Sequence, residues 1–102
     1  MDKKDALRIT NDYINKLLLN ELHIHSAYMF GSFSKGDNNK DSDIDLAIVF
    51  DTLVNTFETE IKLMTLRKGD ETIIEPHVFE KDEFVKINPF INEILETGIK
   101  VI

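Results

Sequence analysis

The run Asp43-Ile44-Asp45-Leu46-Ala47-Ile48-Val49-Phe50 leaves little choice but a β-strand. With side chains alternating between faces, Ile44, Leu46, Ile48 and Phe50 share one side, and Asp43, Asp45, Ala47 and Val49 share the other. Aspartate is a poor strand former and is seldom buried. Two of them on one face of an otherwise apolar strand therefore ask for an explanation. Their Cα atoms stand roughly 6 to 7 Å apart, with both carboxylates pointing the same way. Such a pair repels itself unless a cation lies between. Magnesium is hard, prefers oxygen, and usually takes one or two carboxylates plus substrate phosphates, so the pair suits it. Taken alone, Asp-x-Asp at a strand entrance also fits a solvated strand end.

The segments around this strand define the rest of the fold. Residues 3–22 read as a helix: Ala6, Ile9, Tyr13 and Leu17 recur at helical spacing, and Leu7, Ile14, Leu18 and Leu22 widen the apolar face. Residues 25–30 read as a strand stopped by Gly31. Residues 31–42 are rich in turn formers and read mainly as loop, with room for one helical turn at the start. Residues 54–68 suggest a second helix, with Phe57, Ile61 and Met64 on one stripe and Gly69 ending it. Thr72–Phe79 reads as a third strand, its regularity limited by Pro76. The acidic run Glu80, Asp82, Glu83 reads as a solvated helix start. Asn88-Pro89 is a helix cap followed by proline at the first helical position, Gly98 is the stop, and residues 99–102 form a short strand. The order predicts an α/β (α+β) fold, a small mixed β-sheet flanked by helices, in one domain over residues 1–102.

Composition narrows the function classes. The chain has 102 residues, no cysteine and a formal net charge of −7, from 19 acidic and 12 basic residues. Without cysteine there is neither a disulfide framework nor a thiolate metal site. Nucleic-acid backbones bind through clustered Lys and Arg, so an acidic chain with scattered basic residues argues against direct nucleic-acid binding. No apolar run reaches the roughly 20 residues needed to cross a bilayer, and no apolar signal core follows the polar N-terminus. The expectation is a soluble, cytoplasmic protein with no membrane contact. Acidity suits a basic protein partner, and equally a carboxylate site for divalent cations.

Gly31-Ser32 stands where a strand ends and a turn begins, with ten residues between it and Asp43-Ile44-Asp45. Glycine lets the backbone approach a phosphate closely, and free N–H groups at such a turn bind anions. The Ser32 hydroxyl can donate to a phosphate oxygen, and Lys35 adds a nearby positive charge. A nucleoside triphosphate carrying magnesium has both complements. The spacing Gly-Ser-x10-Asp-x-Asp resembles the signature of the minimal nucleotidyltransferase (MNT) family of the DNA polymerase β-like superfamily. The likeness spans nearly the whole chain, from first helix to last strand. In that family a later strand brings a third carboxylate. Glu75 stands at the corresponding place in this sequence, although aspartate is more usual there.

The resemblance implies a nucleotidyltransferase fold and transfer of a nucleoside monophosphate, AMP from ATP, to an acceptor hydroxyl with release of pyrophosphate. It implies two Mg2+ ions held by Asp43, Asp45 and Glu75, with Glu75 as third ligand or as base, and phosphates held by Gly31, Ser32 and Lys35. Many members are antitoxins that adenylylate a tyrosine of a HEPN-type toxin (higher eukaryotes and prokaryotes nucleotide-binding), so such a toxin is the implied partner. Two other readings stand beside it: a non-catalytic binding module acting by occlusion, and a nucleotidyltransferase for a small molecule whose acceptor site is completed in an oligomer. His77 shares the Glu75 face if the strand stays regular past Pro76; contact with the nucleotide or an acceptor is open to it there, and a structural hydrogen bond is the simpler role. His23 and His25 lack a third ligand nearby and read as surface residues.

Overall fold

The computed structural model describes residues 1–36, 38 and 42–102. The loop expected over 31–42 therefore lies outside the described residues at positions 37 and 39–41.

The first helix, α1 (Lys3–Leu19), starts where the Asp2 carboxylate accepts the Asp5 N–H at 2.8 Å, the usual saturation of a free helix-start donor. Ala6, Ile9, Tyr13, Ile14 and Leu17 form its buried stripe. The helix stops three residues short of the expected end. Asn20 caps it by donating back to the Lys16 carbonyl, and Glu21 adopts a positive φ of 63° that no helix continues through. Leu18, still within the helix, is exposed rather than part of the apolar face.

Strand β1 (Ile24–Phe30) leads into the one-turn helix α2 (Ser32–Lys35), and β2 (Ile44–Phe50) follows. The longer helix α3 (Thr56–Thr65) is capped by the Asn55 side chain, which accepts from the Glu58 N–H at 3.0 Å. Its expected apolar stripe does not face the core. Phe57, Ile61 and Met64 are exposed, Phe57 by 70%, and Leu63 alone is buried. A 3₁₀ turn over Gly69–Ile73 replaces the expected first residues of the third strand, so β3 spans Ile74–Glu80. Glu80, Asp82 and Glu83 form no helix. Glu80 closes β3 and its carboxylate accepts the Leu53 N–H at 3.1 Å, while the chain turns through the following residues. Helix α4 (Pro89–Thr97) opens as expected, with the Asn88 side chain accepting from the Phe90 and Ile91 N–H groups. Gly98 ends it, and β4 (Ile99–Lys100) is the last strand.

The four strands form one mixed sheet in the order β3-β2-β1-β4. β1 runs antiparallel to β2 and β4, whereas β2 and β3 are parallel and are joined by the crossover through α3. β3 is an edge strand, where a proline costs no ladder hydrogen bond on its open side, and the strand passes Pro76 without a break. One face of the sheet carries Met29, Ile44, Leu46, Ile48 and Ile74 against α1 and Leu63 of α3. The other carries Phe30 and Ala47 against Ile94 of α4, with Tyr28, Phe79 and Phe84 around them. Tyr13 ties α1 to α3 by donating its buried hydroxyl to the Leu63 carbonyl at 2.5 Å. Lys16 adds an ion pair to the buried Glu71. Among the described residues no helix is long and apolar enough to cross a membrane.

Candidate active site

The parallel β2–β3 register sets Asp45 directly beside Glu75 and Ala47 beside His77. Alternation along β3 puts Glu75 and His77 on one face, that of Asp45, because Ile74 and Val78 join the opposite core. Arg67 steadies the start of this strand, donating from its guanidinium to the carbonyls of Thr72 at 3.0 Å and Ile74 at 2.9 Å. The His77 ring meets the edge of Phe30 at 5.1 Å between centroids, and its Nε2 lies 3.3 Å from Asp45 Oδ1. The structural contact expected of His77 is thus present, and it is made to the site itself.

One donor atom each from Asp45, Glu75 and His77 lies within 4.8 Å of the others. Two carboxylates and an imidazole at that separation suit a divalent cation. Asp43 precedes β2, is exposed, and stands outside this group of atoms, although its charge reaches the site. The carboxyl of the exposed Glu75 is held above its ordinary range, first by partial desolvation, then by the negative charges of Asp43 and Asp45 and a hydrogen bond with Asp45. His77 acts in the opposite sense. A carboxyl made reluctant to ionise by its acidic neighbours is what a cation would relieve.

Gly31 joins β1 to α2 with φ 79° and ψ −149°, a backbone region that side chains essentially exclude. A Cβ there would also run into the Asp45 carboxylate. The glycine is thus required twice, by its backbone and by its neighbour. Ser32 opens α2 and is half-buried, and Ser34 Oγ donates to the Gly31 carbonyl at 3.0 Å. Lys35, at the end of the same turn, pairs through Nζ with Glu93 of α4 at 2.5 Å. Between them opens a cleft of about 190 Å³ walled by Phe30, Phe90 and Ile94, with Gly31 and the Lys35–Glu93 pair at its edge. The α4 contribution to this cleft escapes a sequence reading, since Glu93 lies 58 residues from its partner and no local pattern marks it.

Residues 12–102 match the family described as Polymerase beta, Nucleotidyltransferase. The chain belongs to this nucleotidyltransferase family. No curated protein matches it at a significant level. Among solved structures its fold is shared with a Sulfolobus solfataricus protein assigned as a nucleotidyltransferase: TM-score 0.71, 18% identity, 96% of this chain and 80% of that one. A toxin–antitoxin structure with AMP-PNP matches with TM-score 0.60 and 24% identity, over 90% of this chain and 72% of that one. A complex of tri-AMPylated Shewanella oneidensis HEPN toxin with MNT antitoxin matches with TM-score 0.58 and 21% identity, over 94% and 71%. The sequence likeness to the minimal nucleotidyltransferases therefore extends to the fold, a four-stranded mixed sheet flanked by helices. Family and fold are those of a transferase.

Proposed function

We propose that this chain transfers AMP from ATP to a tyrosine hydroxyl of a HEPN-type toxin, acting as a cytoplasmic antitoxin by protein adenylylation. The observation that carries the reading is the convergence of Asp45 and Glu75 beside the Gly31 turn. The AMP-PNP and tri-AMPylated toxin of the structurally similar complexes support the choice of nucleotide and acceptor.

In this reading Asp43, Asp45 and Glu75 hold two magnesium ions. When bound, these neutralise charge on the phosphates and on the attacking and leaving oxygens. The chain's own residues do the rest. The Gly31 backbone and Ser32 hydroxyl hold the β- and γ-phosphates in line, and Lys35 offsets their charge. Glu75 Oε accepts the acceptor's proton as the acceptor oxygen bonds to the α-phosphorus and the bond to pyrophosphate breaks. Its raised proton affinity in the absence of cations suits either the ligand or the base role.

The test is incubation with α-labelled ATP, magnesium and a HEPN toxin. Label should pass to the toxin, and Asp43→Asn or Asp45→Asn should abolish both transfer and neutralisation. No transfer, together with wild-type neutralisation by both variants, refutes catalysis. The exposed stripe of Phe57, Ile61 and Met64 on α3 favours one second reading, a module that neutralises a partner by occlusion. There the double substitution of Asp43 and Asp45 by alanine leaves neutralisation intact.

A further inference from the structure

We propose that His77 is itself a metal ligand, so that Asp45, Glu75 and His77 form a mixed carboxylate–imidazole centre that prefers manganese to magnesium. This rests on the nucleotidyltransferase reading of the site and adds to it a ligand outside the three carboxylates.

The placement comes from the backbone. Glu75 is the lateral neighbour of Asp45 across the parallel ladder, and His77 is the diagonal one, two residues further along the edge strand. A diagonal neighbour lies beyond the reach of short side chains but within that of an imidazole. The ring packs at a steep angle against Phe30, and its Nε2 faces Asp45 Oδ1 within the group of donor atoms shared with Glu75. Its 3.3 Å contact with Asp45 Oδ1 stands at the long end of the hydrogen-bond range. Two ligands at right angles about a small divalent cation, each about 2.1 Å from it, stand about 3 Å apart, so the observed spacing fits a shared ion. Asp43, two residues before Asp45, contributes no atom to this cluster. Donor chemistry then sets the preference. Magnesium favours an all-oxygen shell and holds its waters, whereas imidazole nitrogen suits the transition metals, of which manganese is the one that shares magnesium's preference for carboxylate and water oxygens.

The experiment is titration of the purified chain with Mn2+, followed by electron paramagnetic resonance, with Mg2+ as competitor and pulsed detection of nitrogen coupling to the bound ion. Wild type should bind Mn2+ with 14N coupling. His77→Gln should lose the coupling and weaken Mn2+ binding about 10-fold or more while changing Mg2+ binding less. Circular dichroism confirms that the variant is folded, and the half-exposed His77 leaves room for the amide. Bound Mn2+ without nitrogen coupling, or equal weakening of both metals, overturns the proposal. Asp45→Asn separates the two levels. If it abolishes Mn2+ binding while His77→Gln does not, only the histidine assignment falls. If Mn2+ binds Asp45→Asn as it binds wild type, the carboxylate site and the function built on it fall as well.

Discussion

Replacing Gly31 by alanine should damage both the stability of this domain and its site. The backbone at φ 79° and ψ −149° lies where a Cβ is strained by about 1–3 kcal/mol. The new methyl would also meet the Asp45 carboxylate, and such overpacking typically costs a further 1–3 kcal/mol, roughly. The expected loss is therefore about 2–6 kcal/mol, out of the roughly 5–15 kcal/mol a domain of this size has in total. In thermal unfolding this corresponds to a fall in Tm of roughly 10 to 45 °C.

The two contributions can be separated. Asp45→Ala removes the carboxylate that the methyl would strike, so in that background Gly31→Ala should cost only the backbone share, about 1–3 kcal/mol. Gly36 is the internal control. It shares φ 79° but has open space around its Cβ position, so Gly36→Ala should cost only about 1–2 kcal/mol whatever stands at position 45. Urea unfolding of wild type, the single variants and the two double variants supplies every number. A Gly31→Ala variant within about 0.5 kcal/mol of wild type refutes the strain argument. If Gly31→Ala costs the same with aspartate as with alanine at position 45, the close approach is refuted.

Three further outcomes follow from the structure. Burial raises the Tyr13 phenol above its ordinary value of 10.0, with Arg67 opposing the rise and Glu71 adding to it. The unfolded chain thus loses this proton first; the associated stability is whole below about pH 10 and declines above it. Tyr13→Phe should lower stability by about 1–2 kcal/mol at neutral pH and flatten that alkaline decline, read by urea unfolding between about pH 8 and 11. Glu75 is also raised, so its ionisation costs the cation-free fold stability as pH rises through the carboxylate range. Glu75→Gln should accordingly raise the cation-free Tm slightly at neutral pH while abolishing transfer, and an unchanged or lower Tm counts against the repulsion. Phe57→Ser with Ile61→Ser on the exposed α3 face should change stability by no more than about 0.5 kcal/mol per site, and a larger loss in thermal unfolding would mean that the stripe packs against the fold.

What was legible in the sequence, and what was not, follows from how far each determinant lies along the chain. The β2 strand was readable because alternation is local, and α4 because its cap and stop, Asn88-Pro89 and Gly98, sit in the residues themselves. The α3 stripe misleads because periodicity reveals that a helix has an apolar face but says nothing about which face the crossover turns inward. Leu63, outside that stripe, is the residue that packs. Glu80 looked like a helix start because its partner, the Leu53 N–H, lies 27 residues away.

His77 shows the same limit at the site. Its face depended on whether β3 survives Pro76, and a proline inside a strand normally argues against one. The outcome was decided by topology: β3 occupies the sheet edge, where proline is tolerated, and pairs parallel to β2 in the register that puts Asp45 beside Glu75. One long-range choice thus fixes both facts. Had β3 been interior, Pro76 would have broken the ladder and carried His77 out of reach of Asp45. Had the register slipped by one residue, Glu75 and His77 would have turned into the apolar core beside Ile44 and Leu46. The hydrophobic side chains of Ile74 and Val78 forbid that slip, so the same burial that holds the edge strand in place also aims its two polar residues at the aspartate.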